Sequence, residues 1–439
     1  MRVRWLAAMP ALIAGAGVLL WAQASGSDFP DARATDPVTL GWMTGSPPPA
    51  GKIVRFSDGS HYKFPQTRWA FSHMRELVPT AVVPRGAGPV SALPRSERRD
   101  LDAVTFMPIG KSTPMTWAAA FDANYTDGIV VLHRGQIVYE RYGGALTPER
   151  QHIAFSVTKS FVATLASILM AEGRLDERAT VASYVPELQR SAFGDATIRQ
   201  LLDMTTGLDY SEDYADDRSP VWSLGRAVGF LPMPPGYSRP ATSYAYLASL
   251  AKSGAHGERF VYKTPNTDVL AWVLRRVSGQ TLSDLLCERI FSKLGAEQDA
   301  YFLVDATGVE FAGGGLHMAL RDLARFGEAM RLDGKFNGQQ IVPKTFVDDV
   351  RRGGDTQKFA GAGYTTLPGG SYHSMWWVLH NPHGAYSARG IHGQAIYVDP
   401  AAEMVIARFA SHPLGGNVNM DPTSLPAYAA IAERLMAKP

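Results

Sequence analysis

The chain has 439 residues, of which 46% are hydrophobic and 19% charged, with 43 Lys and Arg against 41 Asp and Glu. That composition excludes an intrinsically disordered chain, and its near-neutral balance gives no electrostatic case for binding nucleic acid or an anionic membrane surface. A single cysteine, Cys287, excludes an intrachain disulfide and a cysteine-based zinc site; its place in a helical pattern predicts a buried structural thiol. The two excess positive charges are Arg2 and Arg4, at the head of the uncharged apolar run from Leu6 to Trp21. Ala22-Gln23-Ala24 follows with the small-x-small pattern of a cleavage site, so the expectation is an exported periplasmic or secreted protein cut after Ala24. An uncleaved anchor is the alternative, although the run is short for a membrane span.

Residues 25–115 are rich in Gly, Pro and Ser and read as an irregular extension wrapping a core, with one helix around Trp69 to Leu77. From Ile129 to Tyr142 two apolar runs flank Arg134-Gly135, the pattern of a β-hairpin. Ser156 then opens a helix whose apolar positions Phe161, Val162, Leu165, Ile168 and Leu169 form one buried stripe, ended at Gly173. Residues 196–295 read as mainly helical, with helices over Thr267–Val277 and Thr281–Leu294, the latter with a Thr281/Asp284 capping pattern. A further helix covers Leu320–Leu332. Strands are expected at Met375–Leu379, Ile391–Val398 and Met404–Phe409, and a last helix at Ala427–Met436. Early strands, a helical block and late strands make an α+β pattern, with strands from both ends sharing one antiparallel sheet.

The chemistry is narrowed by what is missing. Neither Gly-x-Ser-x-Gly nor His-Glu-x-x-His occurs, and His380-x-x-His383 sits in a Pro/Gly loop, so no metal is expected. Ser-x-x-Lys occurs three times, at Ser60–Lys63, Ser156–Lys159 and Ser249–Lys252. Only Ser156 stands at the start of a strongly apolar helix after a hairpin. There residues i and i+3 share a face, so the amine can lie beside the hydroxyl. Burial would lower its pKa, and the Ser156 N–H at the helix start can serve as an oxyanion donor. Two readings remain from spacing alone: a catalytic pair, or a capping serine with a surface lysine.

The surrounding motifs carry a family resemblance. Ile198 to Leu208, Phe260 to Leu270 (with Tyr262-Lys263-Thr264-Pro265-Asn266), Phe311-Ala312-Gly313-Gly314-Gly315 and Gly390-Ile391-His392-Gly393 stand in order after Ser156-Val157-Thr158-Lys159. Together they resemble the class C β-lactamase-like serine hydrolases, and within them the 6-aminohexanoate-dimer hydrolases and related esterases. The resemblance implies a β-lactamase/transpeptidase-like fold in residues 116–439, with the helical lobe inserted, after a signal at 1–24 and the extension at 25–115.

It also implies roles. Ser156 is the nucleophile; Lys159 and Tyr262 share proton handling, a tyrosinate at Tyr262 taking the serine proton; Ser156 and Ile391 donate the oxyanion hydrogen bonds. Tyr214, Trp377, Asn266, Gly390 and His392 are expected around the substrate, with Asn266 alternatively a helix cap and His392 alternatively a strand support. No cofactor is implied, only a small ester or amide substrate; a monomer and a homodimer both remain open. Two departures bear on substrate. Ala388-Arg389-Gly390 stands where β-lactamases carry Lys-Thr-Gly, which lowers the case for a β-lactamase or D,D-peptidase. Gly225 and Gly313 stand where amide-active relatives carry an acid and a polar residue, so ester hydrolysis is expected to dominate. A non-catalytic sensor with the same fold is the non-enzyme alternative.

Overall fold

The computed structural model describes residues 29–437; the export signal expected at 1–24 lies outside them. From Asp31 onward the chain clusters as one compact unit, so most of the wrapping extension is part of the same body as the rest. Arg68 anchors it: its guanidinium donates 2.7 Å to the Ala32 carbonyl and pairs with Asp127 at 3.3 Å, both side chains buried. The expected helix over 69–77 is instead one α turn, Thr67–Ala70, followed by a 3-10 turn at Met74–Glu76. The reason is local competition. The Trp69 carbonyl is taken by the Ser72 hydroxyl (3.2 Å) and by His73 Nδ1 (2.7 Å), which draws the backbone out of the helical ladder.

In chain order, the elements that matter for the site are β1 (Thr80–Val83), α1 (Trp117–Ala123), β2 (Thr126–His133), β3 (Gln136–Tyr142), β4 (His152–Ile153), α2 (Val157–Ala171), α3 (Pro220–Ala227), α4 (Pro265–Ser278), β5 (Ala300–Leu303), β6 (Leu316–Met318), α5 (Leu320–Arg331), β7 (Ser371–His373), β8 (Trp376–Val378), β9 (Tyr386–Gly390), β10 (Gln394–Asp399), β11 (Met404–Ala410) and α6 (Asp421–Met436). The β2–β3 hairpin turns on Arg134 and Gly135, both at positive φ, as the twist of a two-residue hairpin requires. Seven strands form the main sheet in the order β7-β8-β9-β10-β11-β2-β3, every neighbour antiparallel. The early and late strands therefore do share one sheet: Val131 lies opposite Ile406 and Ile129 opposite Arg408. A smaller sheet, β1-β5-β6-β4, leads the chain from β4 into α2.

Both faces of the main sheet are covered. Val130, Leu132, Ile396, Val405 and Ala407 join the core that contains α2 and α5, while Ile129, Val131, Met404 and Ile406 pack with α1 and α6. Strict alternation between two dry faces explains why these strands read as continuous apolar runs. Helix α2 also departs from its pattern: it is buried all round rather than along one stripe. Its hydroxyls are satisfied inside the core, Ser160 on the Met375 carbonyl (2.8 Å), Thr164 on Ser160 (2.8 Å) and Ser167 on Thr164 (2.7 Å).

Three further differences have local causes. Helix α6 starts at Asp421 and runs through Pro426; the Pro422 carbonyl that Pro426 cannot serve accepts the Ile109 N–H at 2.8 Å. The expected strand from Ile391 begins only at Gln394, because Ile391–Gly393 is a 3-10 turn with His392 at φ 61. The helix after Thr281 contains a π-type stretch at Cys287–Phe291, and Cys287 is half-buried rather than buried, with its thiol pushed up by desolvation. Among the described residues no helix is long and apolar enough to cross a membrane.

Candidate active site

The first turn of α2 begins at a strained elbow. Phe155 has φ 43, a left-handed value that bulky residues rarely adopt, and Ser156 follows at the N-terminus of the helix. The Ser156 hydroxyl makes no capping bond; instead Lys159 Nζ lies 2.8 Å from its Oγ. Lys159 is 1% exposed, which removes the surface-lysine reading. Its other recorded partner is the Gly313 carbonyl at 2.5 Å. Desolvation holds the amine down to about 8, against the pull of Glu212 and Asp268 toward the charged form. Asp268, on α4, accepts the Gly313 N–H at 3.0 Å, so the same peptide links carboxyl and amine; burial raises the Asp268 pKa.

Tyr262 stands just before α4, with Lys159 Nζ 5.1 Å from its ring centroid and Ser156 beside its phenol. Burial, reinforced by the charge of Glu212, holds this phenol well above its ordinary value; Ser156 and Arg389 pull less strongly the other way. That direction runs against the tyrosinate expected from the resemblance. Trp377 stacks on Tyr262 at 5.5 Å, while its neighbour Trp376 is fully buried near Phe326 and Tyr386, so the two indoles do face opposite sides of β8.

Glu212 was not singled out by sequence reasoning, although it lies inside the stretch that supplied Tyr214. One of its oxygens accepts the Thr264 N–H and the other the Tyr214 hydroxyl at 2.6 Å. It thereby ties the Tyr214 loop to the Tyr262 segment. Asp268 was missed in the same way, four residues from the quoted Thr264.

Gly390 closes the site from β9. A Cβ there would stand 2.7 Å from the Ala154 carbonyl oxygen, 3.0 Å from the Gln394 Cβ and 3.1 Å from the Ser156 nitrogen, so only glycine lets the strand end run against the serine backbone. Ile391 follows and lines the same pocket as Ser156, Tyr214, Trp222, Phe230 and Phe311, a cleft of about 450 Å³ counting its open mouth. Gly225 and Gly313 also line it. A Cβ on Gly225 would meet only the Leu231 side chain at 3.3 and 3.6 Å and Phe230 at 3.9 Å, whereas one on Gly313 would collide with Thr264 Cγ2 at 2.3 Å.

Not every expected residue is brought to the cleft. Asn266 lies inside the first turn of α4, fully buried, with its carbonyl accepting from Thr206 (2.7 Å) and its amide on the Met204 sulfur (3.2 Å). It neither lines the pocket nor caps the helix, whose cap position is Thr264. His392 is buried behind Ile391 rather than in the pocket lining. The other Ser-x-x-Lys sequences form no pair: Ser60 bonds within the Arg55 turn, and Lys252 reaches Asp195 at the surface. His380 bonds Ser371 and His383 bonds Asp399, each at 2.8 Å; among the described residues no cluster suited to a metal ion forms.

Comparison with known proteins identifies the family. Residues 119–424 match the Beta-lactamase family. The chain is 37% identical over 351 residues to a 6-aminohexanoate-dimer hydrolase of Paenarthrobacter ureafaciens, covering 80% of this chain and 86% of that protein. A solved structure from Bacillus anthracis, described as a 6-aminohexanoate-dimer hydrolase, superposes with a TM-score of 0.80 at 30% identity over 89% of this chain and 99% of that one. EstCE1, a hydrolase with promiscuous acyltransferase activity, shares the fold at TM-score 0.56 and 17% identity, over 71% of this chain and 98% of that one. With its α+β architecture and a buried lysine against the serine that opens α2, the chain belongs to the β-lactamase family and is a hydrolase of that family.

Proposed function

We propose that this protein is a serine hydrolase that forms an acyl-enzyme on Ser156, acting chiefly as a carboxylesterase on small acyl groups and more weakly on linear amides such as 6-aminohexanoate oligomers. The observation that carries the reading is Lys159, buried and 2.8 Å from the serine oxygen, with its pKa lowered by desolvation. In its neutral form the amine accepts the Ser156 proton as Oγ attacks the acyl carbon. The oxyanion is received by the backbone N–H groups of Ser156 and Ile391. The neutral Tyr262 phenol donates its proton to the departing alkoxide or amine and is reprotonated by Lys159; water then reverses the sequence. Tyr214, its hydroxyl held by Glu212, lines the same cleft as Ser156.

Ester preference follows from the departures at Gly225 and Gly313 and from a cleft sized for small acyl chains. Activity on linear amides is suggested by the 6-aminohexanoate-dimer hydrolase relative. A β-lactam or D-Ala-D-Ala role is less favoured, because Arg389 is committed to a buried pair with Asp421 and lies 5.3 Å over Trp377 instead of standing free to hold a substrate carboxylate. The same proposal includes export, from the basic start and apolar run before Ala24; the secreted form would then begin at Ser25. The test is a panel of p-nitrophenyl acetate and butyrate, 6-aminohexanoate dimer, D-Ala-D-Ala peptide and nitrocefin, run on the enzyme and on Ser156→Ala. Ester turnover that survives Ser156→Ala refutes the mechanism.

A further inference from the structure

The N-terminal segment contributes to the cleft as well. Tyr62, in the 3-10 turn Ser60–Tyr62, lines the pocket although it lies well before residue 119, where the family match begins. Its ring is held by Phe230 (4.9 Å, edge-on) and Trp222 (5.7 Å), and the adjacent His61 donates from Nε2 to the Phe230 carbonyl at 2.9 Å. Its hydroxyl lies 2.8 Å from His392 Nε2.

The direction of that bond can be worked out. His392 Nδ1 is 2.6 Å from the His412 carbonyl, which can only accept, so Nδ1 carries the proton. Burial keeps the imidazole neutral by holding its pKa down to about 4. Nε2 is then an acceptor and the Tyr62 O–H the donor. A chain of two hydrogen bonds runs from the N-terminal segment through one ring to the loop after β11.

That histidine stands beside both halves of the proposed oxyanion site, by chain on one side and by ring packing on the other. His392 directly follows Ile391, with its own φ at 61, and its ring packs on Phe155 at 5.4 Å, the strained residue directly before Ser156. Phe71 closes the cluster at 5.2 Å. Two left-handed residues flank the two N–H donors, and such strain persists only where the surroundings over-determine it.

Resting on the serine mechanism proposed above, we infer that Tyr62 is a positioning residue: through His392 it holds the Ile391 and Ser156 N–H groups in the register that receives the oxyanion. It acts on the transition state, not on substrate binding, because the hydroxyl is committed to the histidine.

The test is kinetic. Tyr62→Phe keeps the pocket wall and removes one hydroxyl. The expected result is a fall in kcat of about tenfold on p-nitrophenyl butyrate, less than the loss of a whole oxyanion donor, with KM within about twofold. Rates are taken per site titrated with an active-site phosphonate, so that misfolded protein does not count. His392→Asn retains a residue tolerant of positive φ and an amide for the His412 carbonyl, but is too short to reach Tyr62. In that background Tyr62→Phe is expected to change kcat by less than about twofold. An unchanged kcat in Tyr62→Phe, a change confined to KM, or a full loss repeated in the His392→Asn background overturns the inference. Ser156→Ala separates the two readings. Turnover surviving there brings down the serine mechanism and this inference with it; a silent Ser156→Ala beside an unaffected Tyr62→Phe brings down this inference alone.

Discussion

Gly390→Ala is the sharpest probe of the proposed oxyanion site. The added methyl would meet the Ala154 carbonyl oxygen at 2.7 Å and the Ser156 nitrogen at 3.1 Å, both backbone atoms, with the Gln394 Cβ at 3.0 Å. None of these can swing aside as a side-chain tip would. To restore ordinary van der Waals distances the end of β9 must withdraw by several tenths of an ångström from the start of α2, and the Ile391 and Ser156 N–H groups separate with it. Loss of one oxyanion donor costs about 10²–10³ in rate, or about 2.7–4 kcal/mol, so a drop in kcat of about 10² is expected. Overpacking of this kind lowers stability by about 1–3 kcal/mol. The assay is p-nitrophenyl butyrate turnover per phosphonate-titrated site, with thermal unfolding beside it. A folded Gly390→Ala enzyme whose kcat stays within about threefold of the parent would refute the assignment of β9 to the oxyanion site.

On the proposed mechanism Lys159 must lose its proton to act, so kcat/KM is expected to rise with pH along a limb centred near 8. Glu212 favours the ammonium form, so Glu212→Gln should move that limb to lower pH; a shift upward in the pH–rate profile would contradict the role of the amine. Arg389→Met removes one partner of a pair whose side chains are 7% and 6% exposed and leaves Asp421 buried with only the Thr366 hydroxyl, so chemical denaturation should show a loss of about 3–5 kcal/mol, largely recovered when Asp421→Leu is added. Gly225→Asp meets only side-chain carbons of Leu231 and Phe230 and should fold, raising turnover of 6-aminohexanoate dimer relative to p-nitrophenyl butyrate; Gly313→Asn collides with Thr264 and should instead fail to yield folded enzyme by circular dichroism.

What could be read from the chain depended on how local each signal is. The hairpin, the helix after Ser156 and the late strands follow from short-range periodicity, and the structure has all of them. Ser160, Thr164 and Ser167 read as a polar face, yet each hydroxyl is satisfied by a carbonyl within the core, so α2 is a buried helix that pattern alone cannot distinguish from an amphipathic one. Pro426 reads as a helix boundary because the group that serves the Pro422 carbonyl in its stead, the Ile109 N–H, comes from a distant part of the chain. In the site, the Ser156–Lys159 spacing is legible because three residues span one helical turn. Glu212 and Asp268 act through the Tyr214 hydroxyl and the Gly313 peptide, contacts that no spacing encodes. Tyr62 was hidden in a segment without periodicity, and only the fold brings it beside His392.

The pairing of β2 with β11 also sets an order of events. As the chain is synthesised, Ser156 and Lys159 emerge long before Gly390 and Ile391, and α2 has no sheet to lie on until β9 to β11 have been made. Non-local pairing of this kind is slow and is completed only near the end of folding. On the proposed mechanism a nascent or C-terminally truncated chain thus carries Ser156 without the Ile391 N–H that completes its oxyanion hole. On that same mechanism the nucleophile is translated early and armed last, so partial products of translation are expected to be hydrolytically silent by topology.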